Sequence, residues 1–134
     1  MSSEKRKLHD RLWTVFSKYI RLRDSDVNGY CKCISCGRIR FYKDQMDAGH
    51  FIPKNRGNYY WFHEDNVHAQ CRHCNSFLHG NLSEYRANLI KKIGQQKFDL
   101  IHYNGKVSYS TFEYNQLIRY YRDKIKELIK QKNL

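Results

Sequence analysis

Proline occurs once, Asp and Glu number 13 against 25 Lys and Arg, and no apolar run is long enough to cross a bilayer. Each scarcity excludes something. With one proline and seven glycines in 134 residues, the positive charge is not that of a disordered basic tail. The lack of a long apolar run leaves neither a membrane span nor a signal peptide, so no membrane partner is expected. Five cysteines in such a chain suit a reducing cytoplasm, where paired thiols are metal ligands more often than disulfides. The shortage of acidic groups gives a formal net charge of +12. A folded, strongly basic chain with 11 tyrosines suits a polyanion, and nucleic acid is favoured over an anionic membrane surface.

The length fits one domain, 1–134. Three parts are expected: an N-terminal helix in 1–28, a metal-bound core in 29–82 and C-terminal helices in 83–134. From Glu4 to Asp24, Leu8, Leu12, Val15, Phe16 and Tyr19 recur at spacings of three and four, the stripe of an amphipathic helix. Met46 to Ile52 reads as a strand stopped by Pro53, and Val67 to Gln70 as a second strand. A brief helix is expected from Cys74 to His79. Ser83 is a candidate cap for a third helix ending near Asn104-Gly105, and Ser110 with Glu113 forms a capping box for a last one. That last helix carries an apolar stripe of Leu117, Ile118, Tyr121, Ile125, Leu128 and Ile129. The aromatic run Tyr59, Tyr60, Trp61, Phe62 either packs its loop onto the core, the favoured reading, or stacks on unpaired bases.

Chemistry concentrates in the core. Cys33/Cys36 and Cys71/Cys74 are two C-x-x-C pairs, the spacing with which four thiolates close on a structural Zn²⁺. Gly37 lets the first knuckle turn under the metal. Cys31, two residues before Cys33, is either a small buried hydrophobe or a competing ligand, and a site of three cysteines with His68 or His73 is the other arrangement. Between the pairs lies Asp47-Ala-Gly-His50, and after them Asn75 and His79 are four residues apart, so on one helix both would face one ion. His50 is the candidate general base, since imidazole titrates near neutral pH. An oxygen-rich set of Asn75 with Asp47 or His79 points to a catalytic Mg²⁺ or Mn²⁺. On a regular strand Asp47 and His50 point to opposite faces, so either the strand bends at Gly49 or Asp47 has another role.

Cys33 to His79 resembles the core of the HNH, or ββα-metal, endonucleases, with His50 on the first strand, Asn66 before the second, and Cys-x-x-Cys-Asn75 after it. The resemblance implies an α+β fold with a small, treble-clef-like ββα-metal core flanked by N- and C-terminal helices. It implies His50 and Asn66 as the catalytic pair, Asn66 orienting the loop and His50. Gly49 departs from the pattern, which often has Asp or His there. Tyr19-Ile-Arg-Leu-Arg-Asp24, Gly29-Tyr-Cys-Lys-Cys33, Asp47-Ala-Gly-His-Phe51 and Asn66-Val-His-Ala-Gln-Cys71 are similar to the signature of the phage NinG (Rap) family.

That family resemblance implies a metal-dependent, structure-selective DNA endonuclease cutting branched recombination intermediates such as four-way junctions and D-loops. The setting would be the cytoplasm of a bacterial host, with a phage or prophage gene. Arg56, Arg72, Arg119 and Arg122 are candidate DNA contacts, holding phosphates without reading sequence. A two-fold homodimer would place two sites across a junction, and the apolar stripe of the last helix either supplies that contact or packs against the first helix. Two other readings are a zinc-stabilised nucleic-acid-binding module that cuts nothing and an HNH enzyme that nicks ordinary duplex.

Overall fold

The computed structural model describes residues 1–103 and 105–134, so Asn104 of the expected Asn104-Gly105 stop lies outside the described residues. In chain order the elements are α1 (Ser3–Arg23), β1 (Tyr30–Lys32), β2 (Ile39–Phe41), β3 (Met46–His50), α2 (Asn58–Trp61), β4 (Val67–Cys71), α3 (Leu82–Ile93), α4 (Gln95–Ile101) and α5 (Thr111–Lys132). A single π-helical turn, His73–Phe77, follows β4. The α+β expectation holds: two antiparallel two-stranded sheets, β1-β2 and β3-β4, sit among helices beside a cluster of four cysteines.

The long helices start where the sequence caps them. Ser2 accepts from the Lys5 N–H, and Ser110 and Glu113 close the expected capping box on α5. α1 and α5 run side by side in the same direction. Leu8, Leu12, Phe16 and Ile20 of α1 share one cluster with Tyr114, Ile118 and Tyr121 of α5, and the Lys132 ammonium donates to the Leu22 and Ser25 carbonyls at the far end. Ile118, Tyr121 and Ile125 are buried in these clusters. At these positions the stripe, open to a dimer contact or to packing on the first helix, therefore packs within the chain.

β3 and β4 lie between two helical layers. Ala48 and Val67 join the α1/α5 cluster, and Met46 and Ala69 a second one with Leu22, Cys31, Tyr42 and Ile125. On the opposite side Ile34, Ile52, Tyr60, Tyr85, Leu89, Phe98 and Ile101 form the core under α3 and α4. Two local expectations are corrected. Ser83 lies inside α3, whose cap position is Asn81 in the left-handed region, and the helix after Cys74 is a π turn that ends at Phe77. His79 itself has φ +50°, so the chain has left the helix before reaching it.

A charged node joins the layers. The Asp24 carboxylate meets Arg23 Nε at 2.9 Å and Lys92 Nζ at 3.0 Å and accepts from the Ala69 N–H at 2.8 Å. Burial alone would raise its pKa, but Arg23 and Lys92 outweigh it and hold Asp24 far below the usual carboxylate range. His68 donates from Nε2 to the Asp65 carbonyl and presents Nδ1 to Lys92 and Arg23. Burial and these two cations lower its pKa to about 3, so it stays neutral. Removing the carboxylate leaves Arg23 and Lys92, whose side chains are 23% and 39% exposed, without their counter-ion. Asp24→Ala should therefore cost about 1.5–3 kcal/mol in chemical unfolding, less than for a fully buried pair because both cations keep water, and a loss below about 0.5 kcal/mol would show that the node is not stabilising.

Candidate active site and metal centre

The four sulfurs of Cys33, Cys36, Cys71 and Cys74 lie within 4.8 Å of one another, with Cys36 and Cys71 3.7 Å apart. Four thiolates at about 2.3 Å from a tetrahedral ion would stand about 3.8 Å apart, so the set fits a metal. Backbone N–H groups already point at the sulfurs: Cys36 to Cys33 at 3.5 Å, Arg38 to Cys36 at 3.4 Å, and Cys74 to Cys71 at 3.4 Å. Gly37, at φ +78°, makes the turn under the first knuckle. Among the described residues this is the one cluster of three or more Cys, His, Asp or Glu side chains able to hold an ion. Cys31 is outside it. Its thiol donates to the Arg21 carbonyl at 3.0 Å in an apolar pocket, and burial pushes its pKa up to about 12. His68 belongs to the charged node rather than to the cluster.

An open groove of about 710 Å³ runs along β3, lined by His50, Asp47, Arg72, Asn75 and His79 together with Trp13, Lys43 and Lys54. The register of β3 against β4 is regular, Met46↔Cys71 through His50↔Val67, so Asp47 and His50 do point to opposite faces and no bulge intervenes. Both still reach the groove because it follows the edge of β3. Gln45 and Phe51 bond across to Arg72 and Asn66, which by alternation turns the backbone groups of Met46, Ala48 and His50 away from β4. Among the described residues no strand pairs with that edge.

His50 is held on two sides. Its Nε2 lies 3.0 Å from the Trp61 carbonyl, which only accepts, so Nε2 carries the proton and Nδ1 keeps its lone pair. Its ring stacks on Trp13 at 5.0 Å between centroids. Burial, and secondarily the nearby Lys54 ammonium, lower its pKa to about 4. Lys54 in turn lies over the rings of Trp13 and Trp61, at 5.7 and 5.3 Å. Asn66 is fully buried behind the site. It accepts from the Ile52 N–H and donates to the Ile52 and Tyr60 carbonyls, which fixes the chain on both sides of the loop that ends at Trp61.

Asp47 takes two contacts, from Asn75 Nδ2 at 3.2 Å and from Arg72 at 3.2 Å. His79 lines the same groove, although not by sharing a helix face with Asn75. Of the four arginines read as DNA contacts, Arg72 lies in the groove and Arg56 lines a smaller cleft with Lys106. Arg119 and Arg122 are exposed on α5 and line neither. Trp13 and Lys54 escaped the sequence reading because nothing local marks them. Trp13 falls next to Leu12 in a helical stripe, and Lys54 is one cation among 25 Lys and Arg.

Fold and site together define an α+β core of the ββα-metal kind, with four cysteines able to hold a metal ion and a histidine groove along one strand edge. The chain belongs to the NinG family: the family model "Bacteriophage Lambda NinG protein" matches residues 2–132. It is 39% identical over 111 residues to "Protein ninG" of Escherichia phage lambda, covering 82% of this chain and 52% of that protein. It is 37% identical over 111 residues to "Protein ninG" of Salmonella phage P22, with the same shares covered. The chain thus spans about half the length of the curated relatives it matches. No solved structure gives a significant match.

Two measurements test the site directly. Cys71→Ser should lose bound metal and unfold the core, since metal binding and folding are coupled there, whereas Cys31→Ala should keep full metal stoichiometry. Metal lost equally from both would return Cys31 to the ligand set. In an NMR titration the His50 imidazole should stay neutral and Nε2-protonated down to a midpoint near pH 4. The sign follows from that lowered value: the unfolded chain takes up this proton first, so stability falls as pH drops from about 6.5 toward about 4. A midpoint near 6.5 would mean that the imidazole is not desolvated.

Proposed function

We propose that the chain carries a metal-dependent, structure-selective DNA endonuclease activity that cuts branched recombination intermediates such as four-way junctions and D-loops. The observation that carries this reading is the pairing in one groove of a neutral His50, its Nδ1 available, with the Asp47–Asn75 contact. Family membership supports the same reading, and the charge of +12 suits a DNA partner.

His50 is the general base. It takes a proton from water at Nδ1, and the Trp61 carbonyl and the face of Trp13 offset part of what burial and Lys54 cost the imidazolium so formed. Its low basicity keeps the lone pair available throughout the physiological range. Lys54, Lys43 and Arg72 line the same groove and draw in the phosphate. Asn66 is a positioning residue, acting through the Tyr60–Trp61 backbone on His50.

Asn75 with Asp47 or His79 would make an oxygen-rich donor set that fits Mg²⁺ or Mn²⁺, the Asn75 amide turning its oxygen inward from its present Nδ2 contact with Asp47. When bound, such an ion neutralises charge at the phosphate and the departing 3′ oxygen. The four thiolates would hold a structural Zn²⁺, closed to substrate. Arg56, Arg72, Arg119 and Arg122 would contact the backbone of branched DNA. Two cuts across a junction call for two copies, and with Ile118 and Tyr121 of the α5 stripe packed on α1 a homodimer would draw on what the helix still exposes or on another face. The setting is the cytoplasm of a bacterial host.

The test is cleavage of a labelled four-way junction beside its linear duplex, with and without Mg²⁺. Wild type should cut the junction in preference. His50→Ala should keep fold, zinc and junction binding while losing at least about 100-fold in single-turnover rate, the usual share of a positioned base. Asn75→Ala should keep zinc but need more Mg²⁺. Binding without any cutting, at full zinc content, would leave a binding module. Equal cutting of duplex would leave a nicking enzyme.

A further inference from the structure

The aromatic run Tyr59–Phe62 is not a base-stacking surface. Tyr60 and Phe62 are buried, the Tyr59 hydroxyl donates to the Leu100 carbonyl, and Trp61 packs edge-on to His9. The exposed aromatic on the segment that lines the groove is Phe77, which is 73% exposed. It closes the π turn His73–Phe77, two residues after Asn75, and its one aromatic neighbour is the His73 ring at 5.7 Å. Leu78 and Leu82 are each 45% exposed on the same stretch, and Leu82 lines the groove. The other exposed aromatics, Tyr30, Tyr103, Phe112 and Tyr120, lie on segments that contribute nothing to the groove.

The turn that presents this ring is fixed. Cys74 anchors it in the thiolate cluster, Asn75 ties it to Asp47, and the Leu78 and Gly80 N–H groups bond back to the His73 and Cys74 carbonyls. An exposed apolar ring on a fixed turn of the stretch that lines a cation-bearing groove offers a face to a flat partner joined to an anion. A nucleobase next to a bound phosphate is such a partner.

We propose that Phe77 stacks on an uncovered base at the branch point of a DNA junction whose phosphate lies in the groove, so that this ring sets selectivity for branched over linear DNA. The proposal rests on the nuclease reading above for the position of the phosphate. Within a duplex each base is covered on both faces by its neighbours, and the ring finds no face to meet. At a branch, flap or end one face is open. Because every base has a π-face, the contact selects shape and is indifferent to sequence.

The experiment uses the full chain, wild type with Phe77→Ala and Phe77→Trp, without divalent ions so that nothing is cut. The probes are a four-way junction carrying 2-aminopurine at the branch point and the matching linear duplex. Wild type should quench the branch-point fluorescence on binding. Phe77→Ala should lose that quench and reduce the ratio of junction to duplex affinity by about 5- to 100-fold, the range of one base–aromatic stack. Phe77→Trp should restore both. A Phe77→Ala protein with an unchanged ratio and quench overturns the proposal, as does one that loses junction and duplex affinity equally, which marks a structural role. Cleavage is then read separately with Mg²⁺. A wild type that cuts nothing while its junction preference depends on Phe77 removes the nuclease reading and keeps the stack. Normal His50-dependent cutting with a Phe77-independent preference does the reverse.

Discussion

A two-stranded sheet has little stability of its own in water, and both sheets here have two strands. What fixes them is the closure of four sulfurs drawn from segments 35 residues apart, Cys36 to Cys71. Cys71 is the last residue of β4, so the closure also sets where the chain goes next. Arg72, Asn75, Phe77 and His79 all follow from that anchor, and the contacts of Arg72 and Asn75 with Asp47 depend on it. The four-sulfur cluster thus sets the geometry of the groove, and losing one thiolate should disturb both.

The helices reach the same sheet through charge. Asp24 at the end of α1, Lys92 near the end of α3 and the Ala69 N–H of β4 meet in one buried node, so two helical layers and the strand between them share a single polar lock. In a chain with 25 cations and 13 anions, burying one carboxylate among Arg23, Lys92 and neutral His68 also discharges local repulsion. An apolar contact of the same size would stabilise as much but would not fix the register of α3 against β4. Register matters because the Tyr85 hydroxyl of α3 donates to the Gly49 carbonyl, one residue from His50.

Features that depend on neighbours in sequence were legible. The stripe of α1, the α5 capping box, the two knuckles and the inward packing of Tyr60 and Phe62 follow from periodicity, spacing and bulk. Features that depend on distant packing were not. Asn75 and His79 have helical spacing, yet the turn carrying Asn75 must satisfy the sulfur closure and ends two residues before His79, in left-handed backbone. The stack of Trp13 on His50 joins residues 37 apart in number and has no local signature. The choice of Cys33 over Cys31 was readable from the knuckle spacing, and the apolar pocket around Cys31 gives its physical reason.

Gly49 shows how one position constrains the chemistry. A Cβ there would come within 2.9 Å of the Gln70 Cβ, and the Gln70 amide is itself committed to the Ser35 hydroxyl and the Gly80 carbonyl. A side chain at 49 would therefore meet the neighbouring strand and not the groove, so residue 49 cannot supply a metal ligand in this backbone. Strand parity puts Asp47 on that same face two residues earlier, nearer the end of β3 where the groove wraps around the edge and Asn75 comes across. His50 reaches the groove from the opposite face. In the proposed mechanism His50 and Asp47 would act on one phosphate only because the strand between them is an edge, and a third strand paired with β3 would separate them.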